Sequence, residues 1–313
     1  MTQVPPALAD RLDGLLFFPV TAFGADGGAV DLDAYRAHVR AGVEAGAGAV
    51  FACCGTGEYH ALTPEEFSDC LTVAVEEGAR GGLPVLAGAG YGTALAVRYA
   101  QLAAAAGVDG LLAMPPYLVQ AEQAGLIRHY ETVTAATDLP VIVYQRDNVV
   151  FTPASVVELA RNPQVIGLKD GLGDLDLMQR IVSAVRTAGQ DRDFLYFNGL
   201  PTAELTGLAY RGIGITLYSS AVFAFAPEIA LAFHRSLVAG DDAVCERLLD
   251  GFYRPFVELR NRGRGYAVSL VKAGVRMRGL DVGEVRPPLT EPAPEHVKEL
   301  AALIERGMAL VDG

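Results

Sequence analysis

Apolar and polar positions in this chain recur on two scales. Short runs rich in Val, Ile, Leu and Phe read as strands near residues 14–20, 49–54, 84–89, 110–114, 141–144, 165–169, 194–197 and 212–217. Between them lie segments of helical period, among them 31–45, 64–78, 94–106, 121–136 and 153–161. Runs such as LLFFPV and VIVY stay apolar without alternating, the pattern of strands covered by helices on both faces. Eight strand–helix units predict the α/β class, a closed (β/α)8 TIM barrel over residues 1–225. Beyond it the pattern is wholly helical to about Met308, with breaks near Gly240, Gly263 and RPPLTEPAP. No flexible linker intervenes, so 226–313 is expected to be a C-terminal helical extension packed on the barrel.

Local punctuation supports this register. LTPEEF offers Thr63 as N-cap, Pro64 at the first helical position and Glu66 at the third, a capping box, and FTPASV repeats the device with Thr152 and Pro153. AGAGYG at 87–92 lacks the full GxGxxG spacing and the acidic residue at the end of a following strand, so it reads as a tight barrel loop rather than a dinucleotide site.

Composition narrows the functional classes. Hydrophobic residues make up 51% of the chain and charged residues 20%, enough apolar material for a large dry core. A net charge of −12 leaves no basic face for nucleic acid. Cys53, Cys54, Cys70 and Cys245 lack CxxC spacing and read as reduced, buried thiols. The start MTQVPPALAD has no signal pattern and no apolar run reaches the roughly 20 residues of a membrane helix, so a cytoplasmic protein without a membrane partner is expected. His38, His60, His129, His234 and His296 have no metal-ligand spacing, and neither a GxSxG elbow nor a Ser–His–Asp set is visible. Neither a metal nor a cofactor is expected.

In such barrels the reactive groups project from the C-terminal ends of the strands. Those ends read CCGTGEYH, VYQRDN, GLKDG, FNGLP and ITLYSS. Lysine is scarce, occurring only at 169, 272 and 298, and Lys169 ends the sixth strand inside VIGLKDGLGD. An apolar site disfavours the ammonium form and so supplies a neutral amine able to attack a ketone, which arginine cannot do. The alternative is a structural lysine paired with a buried carboxylate. Tyr144, at the neighbouring strand end, can exchange a proton with such an adduct, or simply pack with its hydroxyl in water. In GTGE, the backbone N–H groups of Gly55, Thr56 and Gly57 and the Thr56 hydroxyl suit a carboxylate, though the stretch also reads as a plain turn.

FPVTAF, GTGE, Tyr144, GLKD and the helical C-terminus together resemble the dihydrodipicolinate synthase and N-acetylneuraminate lyase superfamily of Schiff-base barrels, over nearly the whole chain. The resemblance implies Lys169 as the Schiff-base lysine, Tyr144 as proton shuttle oriented by Thr56, and Gly55 and Thr56 as holders of an α-keto carboxylate. It also implies a homo-oligomer, dimer or tetramer. Within the superfamily, GTGEYHALTPEE, YQRDN, IGLKDGLGD, NGLPTAE and YSSA are most similar to decarboxylating dehydratases, lyases whose small-molecule substrate is a keto-deoxy sugar diacid.

The far carboxylate of such a diacid needs donors, and Asn198, Ser219, Ser220 and Arg146 are the candidates, against a turn, a helix cap and a surface ion pair as their structural alternatives. Glu58 and Asp170 read as orienting or structural. The chain departs from the synthases in placing Gly55 before Thr56 instead of two threonines, in having Asn148 and Val149 where an arginine follows the tyrosine, and in setting Leu118, beside Tyr117, at the place of a second tyrosine. A retro-aldol lyase releasing pyruvate from a 2-keto-3-deoxy acid and a non-catalytic sugar-acid-binding barrel are the rival functions.

Overall fold

Eight parallel strands pair in chain order and close on themselves in the computed structural model of the chain, which describes residues 7–312. They are β1 (Leu16–Phe17), β2 (Ala49–Ala52), β3 (Val85–Ala89), β4 (Gly110–Ala113), β5 (Val141–Gln145), β6 (Val165–Asp170), β7 (Leu195–Asn198) and β8 (Leu217–Ser220). Closure is made by β1 on β8, with Leu16 opposite Ser219 and Phe17 opposite Ser220. Leu16, Phe18, Ala49, Phe51, Leu86, Leu112, Ile142 and Phe197 fill the barrel interior. A larger apolar layer, including Val50, Val85, Leu111, Val143 and Leu168, joins the outer strand faces to the surrounding helices. Burial on both faces is why these strands need no polar alternation.

Two strand expectations are corrected. The first strand is shorter than 14–20, because Gly14 takes a left-handed φ of +74° and Pro19 has no N–H to give the ladder. The eighth does not run over 212–217. Gly212 ends the helix Gly207–Gly212, Gly214 turns the chain at φ +85°, and β8 begins at Leu217. An uninterrupted apolar run such as GIGITL carries no period by which its end can be read.

The helix starts follow the local rules. Thr63 accepts from the N–H of Glu66, and the Glu66 carboxylate accepts from the N–H of Thr63, the full capping box on Pro64–Gly81. Thr152 accepts from the N–H of Ser155 at the start of Pro153–Ala160. After β8 the chain forms the helices Pro227–Ala239, Asp242–Leu248, Arg254–Arg260, Tyr266–Met277 and Pro294–Asp312. Gly240, in the left-handed region at φ +77°, separates the first two. A π-helical turn over Leu249–Tyr253 joins the second and third.

One irregularity bears directly on function. Between β5 and β6, Val141 faces Val165 but Ile142 faces Gly167, so Ile166 is an extra residue in the ladder. The bulge resets which β6 side chains point inward. Downstream of it Tyr144 pairs with Lys169, while Leu168 and Asp170 turn to the helix layer.

Candidate active site

A cavity of about 470 Å³ opens at the C-terminal ends of the strands. Its floor is apolar, built from Phe18, Leu112 and Met114, and its rim carries Thr56, His60, Arg146 and Ser219. Lys169 and Tyr144 sit between floor and rim, and both are buried.

The Lys169 ammonium lies 4.2 Å from the centre of the Phe18 ring and 4.7 Å from that of Tyr144. Among the described residues no carboxylate pairs with it. Burial pushes its pKa down to about 8, with the Arg146 guanidinium adding to the effect. The paired, structural arrangement weighed for this lysine is found instead at Lys272, whose Nζ is 2.9 Å from Glu58 Oε1 with both side chains fully buried. The two buried lysines are thus chemically unlike: one is neutralised by a partner, the other is free to lose its proton.

Tyr144 donates its hydroxyl hydrogen bond to the carbonyl of Gly199 at 3.1 Å. Burial raises its pKa, opposed by nearby Arg146, so the phenol is protonated at neutral pH. Two glycines make room for this pair. A Cβ at Gly199 would stand 2.6 Å from Lys169 Cε, and one at Gly171 would stand 2.8 Å from the Tyr144 oxygen. Any side chain at Gly199 would displace Lys169, and any at Gly171 would displace Tyr144.

After β2 the chain turns sharply at Gly55–Glu58. The N–H of Glu58 donates to the Gly55 carbonyl at 3.2 Å, and Cys53 and Glu58 both adopt left-handed φ, +49° and +54°. Gly55 and Thr56 border the cavity. Gly57 does not; it is buried behind them, its carbonyl accepting from Thr21 Oγ1 at 2.7 Å. Cys54 closes the wall beneath, its thiol pushed up to about 12 by burial.

The far-end donors separate. Ser219 and Arg146 border the cavity, and Arg146 pairs with Asp147 at 3.2 Å while remaining 44% exposed. Asn198 does not border it. Strand alternation turns its side chain to the helix layer, where its amide donates to Ala203 O and Thr206 Oγ1 and accepts from the N–H of Leu200. Ser220 meets the cavity, but its hydroxyl is turned outward, donating to Glu204 and accepting from the N–H of Phe223. The expectation that these two donate into the mouth is corrected by that period of two. Asn148 spans loops, donating to Pro116 O and Val119 O, and Leu118 stands 79% exposed at the rim beside Tyr117. Asp170 is buried under hydrogen bonds from Gln145, Tyr210 and the N–H of Leu172.

Residues 11–307 match the model of the dihydrodipicolinate synthetase family. The chain belongs to this family. It is 75% identical over its whole length to a probable 5-dehydro-4-deoxyglucarate dehydratase 1 of Streptomyces coelicolor, covering 98% of that protein. A probable 5-dehydro-4-deoxyglucarate dehydratase of Bradyrhizobium diazoefficiens is 46% identical over 97% of this chain and 95% of its own length. Among solved structures, dihydrodipicolinate synthase from Bacillus clausii superposes with a TM-score of 0.86 at 25% identity, covering 95% of this chain and 98% of that one.

Several residues that shape the site in this family member show no sign of that role in the sequence, even Phe18, which opens FPVTAF. Phe18 follows β1 and lies under the Lys169 amine. Ala267, Val268 and Leu289 come from the C-terminal helical part and line the cavity from outside the barrel. Apolar residues at a wall look like any core residue in sequence, and only proximity marks them.

Behind β8 lies another buried carboxyl, Glu204. One of its oxygens accepts from Ser220, and the other has no partner among the described residues. Burial pushes its pKa up to about 7. The folded chain therefore holds a proton that the unfolded chain releases near pH 4.5, and stability from this group falls as pH rises between those values and then levels off. Glu204→Gln removes that dependence. Its stability relative to the native chain is expected to improve by about 2 kcal/mol between roughly pH 5.5 and pH 8 in denaturant titrations. A difference that stays constant with pH would show that Glu204 is ionised throughout.

Proposed function

We propose that the chain is a 5-dehydro-4-deoxyglucarate dehydratase, a lyase that releases 2,5-dioxopentanoate, water and carbon dioxide through a Schiff base on Lys169 in cytoplasmic glucarate and galactarate breakdown. The observation that carries the reading is a buried amine without a carboxylate partner, beside a phenol, in a cavity at the barrel mouth. The names of the similar dehydratases support the choice of substrate.

The chemistry follows from the amine. Neutral Lys169 adds to the ketone, and the Tyr144 phenol protonates the departing oxygen, leaving an iminium and a tyrosinate near Arg146. The iminium acidifies the neighbouring methylene, and tyrosinate takes its proton to give an enamine. The enamine expels the hydroxyl on the next carbon, protonated by Tyr144, as water. The resulting conjugated iminium accepts the electron pair freed when the far carboxylate leaves as carbon dioxide. Reprotonation, collapse of the enol to an aldehyde and hydrolysis release product and amine. Gly55 and Thr56 hold the carboxylate next to the ketone, and Ser219 and Arg146 face the far one. No cofactor is needed, because the iminium is itself the electron sink.

The test is incubation with 5-dehydro-4-deoxyglucarate. One carbon dioxide per substrate, no pyruvate, and a borohydride-fixed adduct on the Lys169 peptide are expected. Pyruvate without carbon dioxide would establish the retro-aldol lyase, and an unlabelled Lys169 alongside saturable binding would establish a sugar-acid-binding barrel.

A further inference from the structure

The turn that borders the cavity at Gly55 and Thr56 is strained at both ends, since neither Cys53 nor Glu58 is a glycine yet both occupy left-handed φ. Such conformations persist only where the surroundings over-determine them. At Glu58 the surroundings are the C-terminal part of the chain. Glu58 Oε1 receives Lys272 Nζ at 2.9 Å and Oε2 receives the N–H of Arg286 at 2.9 Å. Lys272 also donates to the Glu284 carbonyl at 2.7 Å and lies 4.0 Å from the centre of the Phe23 ring. Arg286 covers the same ring and reaches the carbonyls of Gly27, Gly28 and Ala61 and the carboxylate of Glu66. One knot thus ties the turn after β2 to the loop after β1, to the start of Pro64–Gly81 and to the helix Tyr266–Met277. That helix also places Ala267 and Val268 on the cavity wall.

Stability alone does not explain a pair of charges with no solvent contact. Taking both ions out of water costs about as much as their attraction returns, and apolar replacements of such pairs are often neutral or stabilising. What an ion pair supplies that apolar packing does not is direction, fixing one backbone conformation against its neighbours.

We propose that Lys272, acting through Glu58, is a positioning residue that holds the Gly55–Thr56 backbone in the orientation that receives the carboxylate of a 2-keto acid. This rests on the Schiff-base reading of Lys169. Lys272 and Glu58 touch neither substrate nor the reacting atoms, and their effect is confined to the carboxylate end of the ligand.

The test uses Glu58→Gln/Lys272→Met, which removes both charges together, because either change alone strands a buried charge. Adducts on Lys169 are fixed with cyanoborohydride at increasing concentrations of pyruvate, a keto acid, and of acetone, the matching ketone without a carboxylate. The half-saturating pyruvate concentration is expected to rise about tenfold while the acetone curve stays in place. A folded double variant with an unchanged pyruvate curve, or with equal losses for both ketones, overturns the proposal, since a merely structural pair would produce one or the other. Should the double variant not fold, Glu58→Asp, which keeps both charges but shortens the arm by a methylene, is read in the same way. No adduct with either ketone on the native chain removes the Schiff-base reading and the positioning role with it.

Discussion

Lys169→Ala is expected to lose turnover by a factor on the order of 10⁵ or more, the scale seen when an essential nucleophile is removed. Thermal stability should hardly change. The native ammonium has no carboxylate among the described residues, so its removal strands no opposite charge. Lys169→Arg should be equally inactive, because a guanidinium stays protonated and cannot form an iminium. In the native enzyme, kcat/KM should climb as pH rises toward about 8, where the buried amine loses its proton, and level off above it as far as this group is concerned. Steady-state assays with calorimetric melting check both halves. Residual turnover in Lys169→Ala within tenfold of native would remove the Schiff base from the mechanism.

Tyr144→Phe should lower kcat by about 10²- to 10⁴-fold, the usual worth of a general acid–base group. Adduct formation on Lys169 should persist at a slower rate, because the amine remains beside the Phe18 ring and its environment is still apolar. The KM is expected to change little, as the hydroxyl contacts Gly199 rather than the rim residues proposed to receive the substrate carboxylates. The lost hydrogen bond costs stability only about 1 kcal/mol. Rapid-quench trapping separates the two steps, and a variant trapped and turned over at native rates would remove the phenol from the reaction.

Much of the barrel is legible in one dimension because its physics is local. A parallel strand covered on both faces must be an apolar run, and a helix must begin where its first N–H groups find acceptors, as at Thr63 and Thr152. The polar stretches between apolar runs then mark the strand ends, and five of them meet around the cavity. Legibility fails where an end has no punctuation, as in the approach to β8, and where a side chain's face depends on more than its neighbour. Asn198 and Ser220 sit at the right height on their strands but face the helix layer, satisfied there by Ala203, Thr206 and Glu204.

The amino-acid order alone determined the fold class, the level at which Lys169, Tyr144 and the Gly55–Thr56 turn lie, and the scarcity of lysine that drew notice to residue 169. Tertiary structure decided the rest. The extra residue at Ile166 aims Lys169 at Tyr144, closure of the barrel carries Phe18 beneath the amine, and the helix Tyr266–Met277 brings Lys272 to Glu58 across 214 positions of chain. The reason is range: periodicity and capping are set by residues within one or two turns of each other, whereas direction and burial at the site are set by elements that meet only once the sheet has closed.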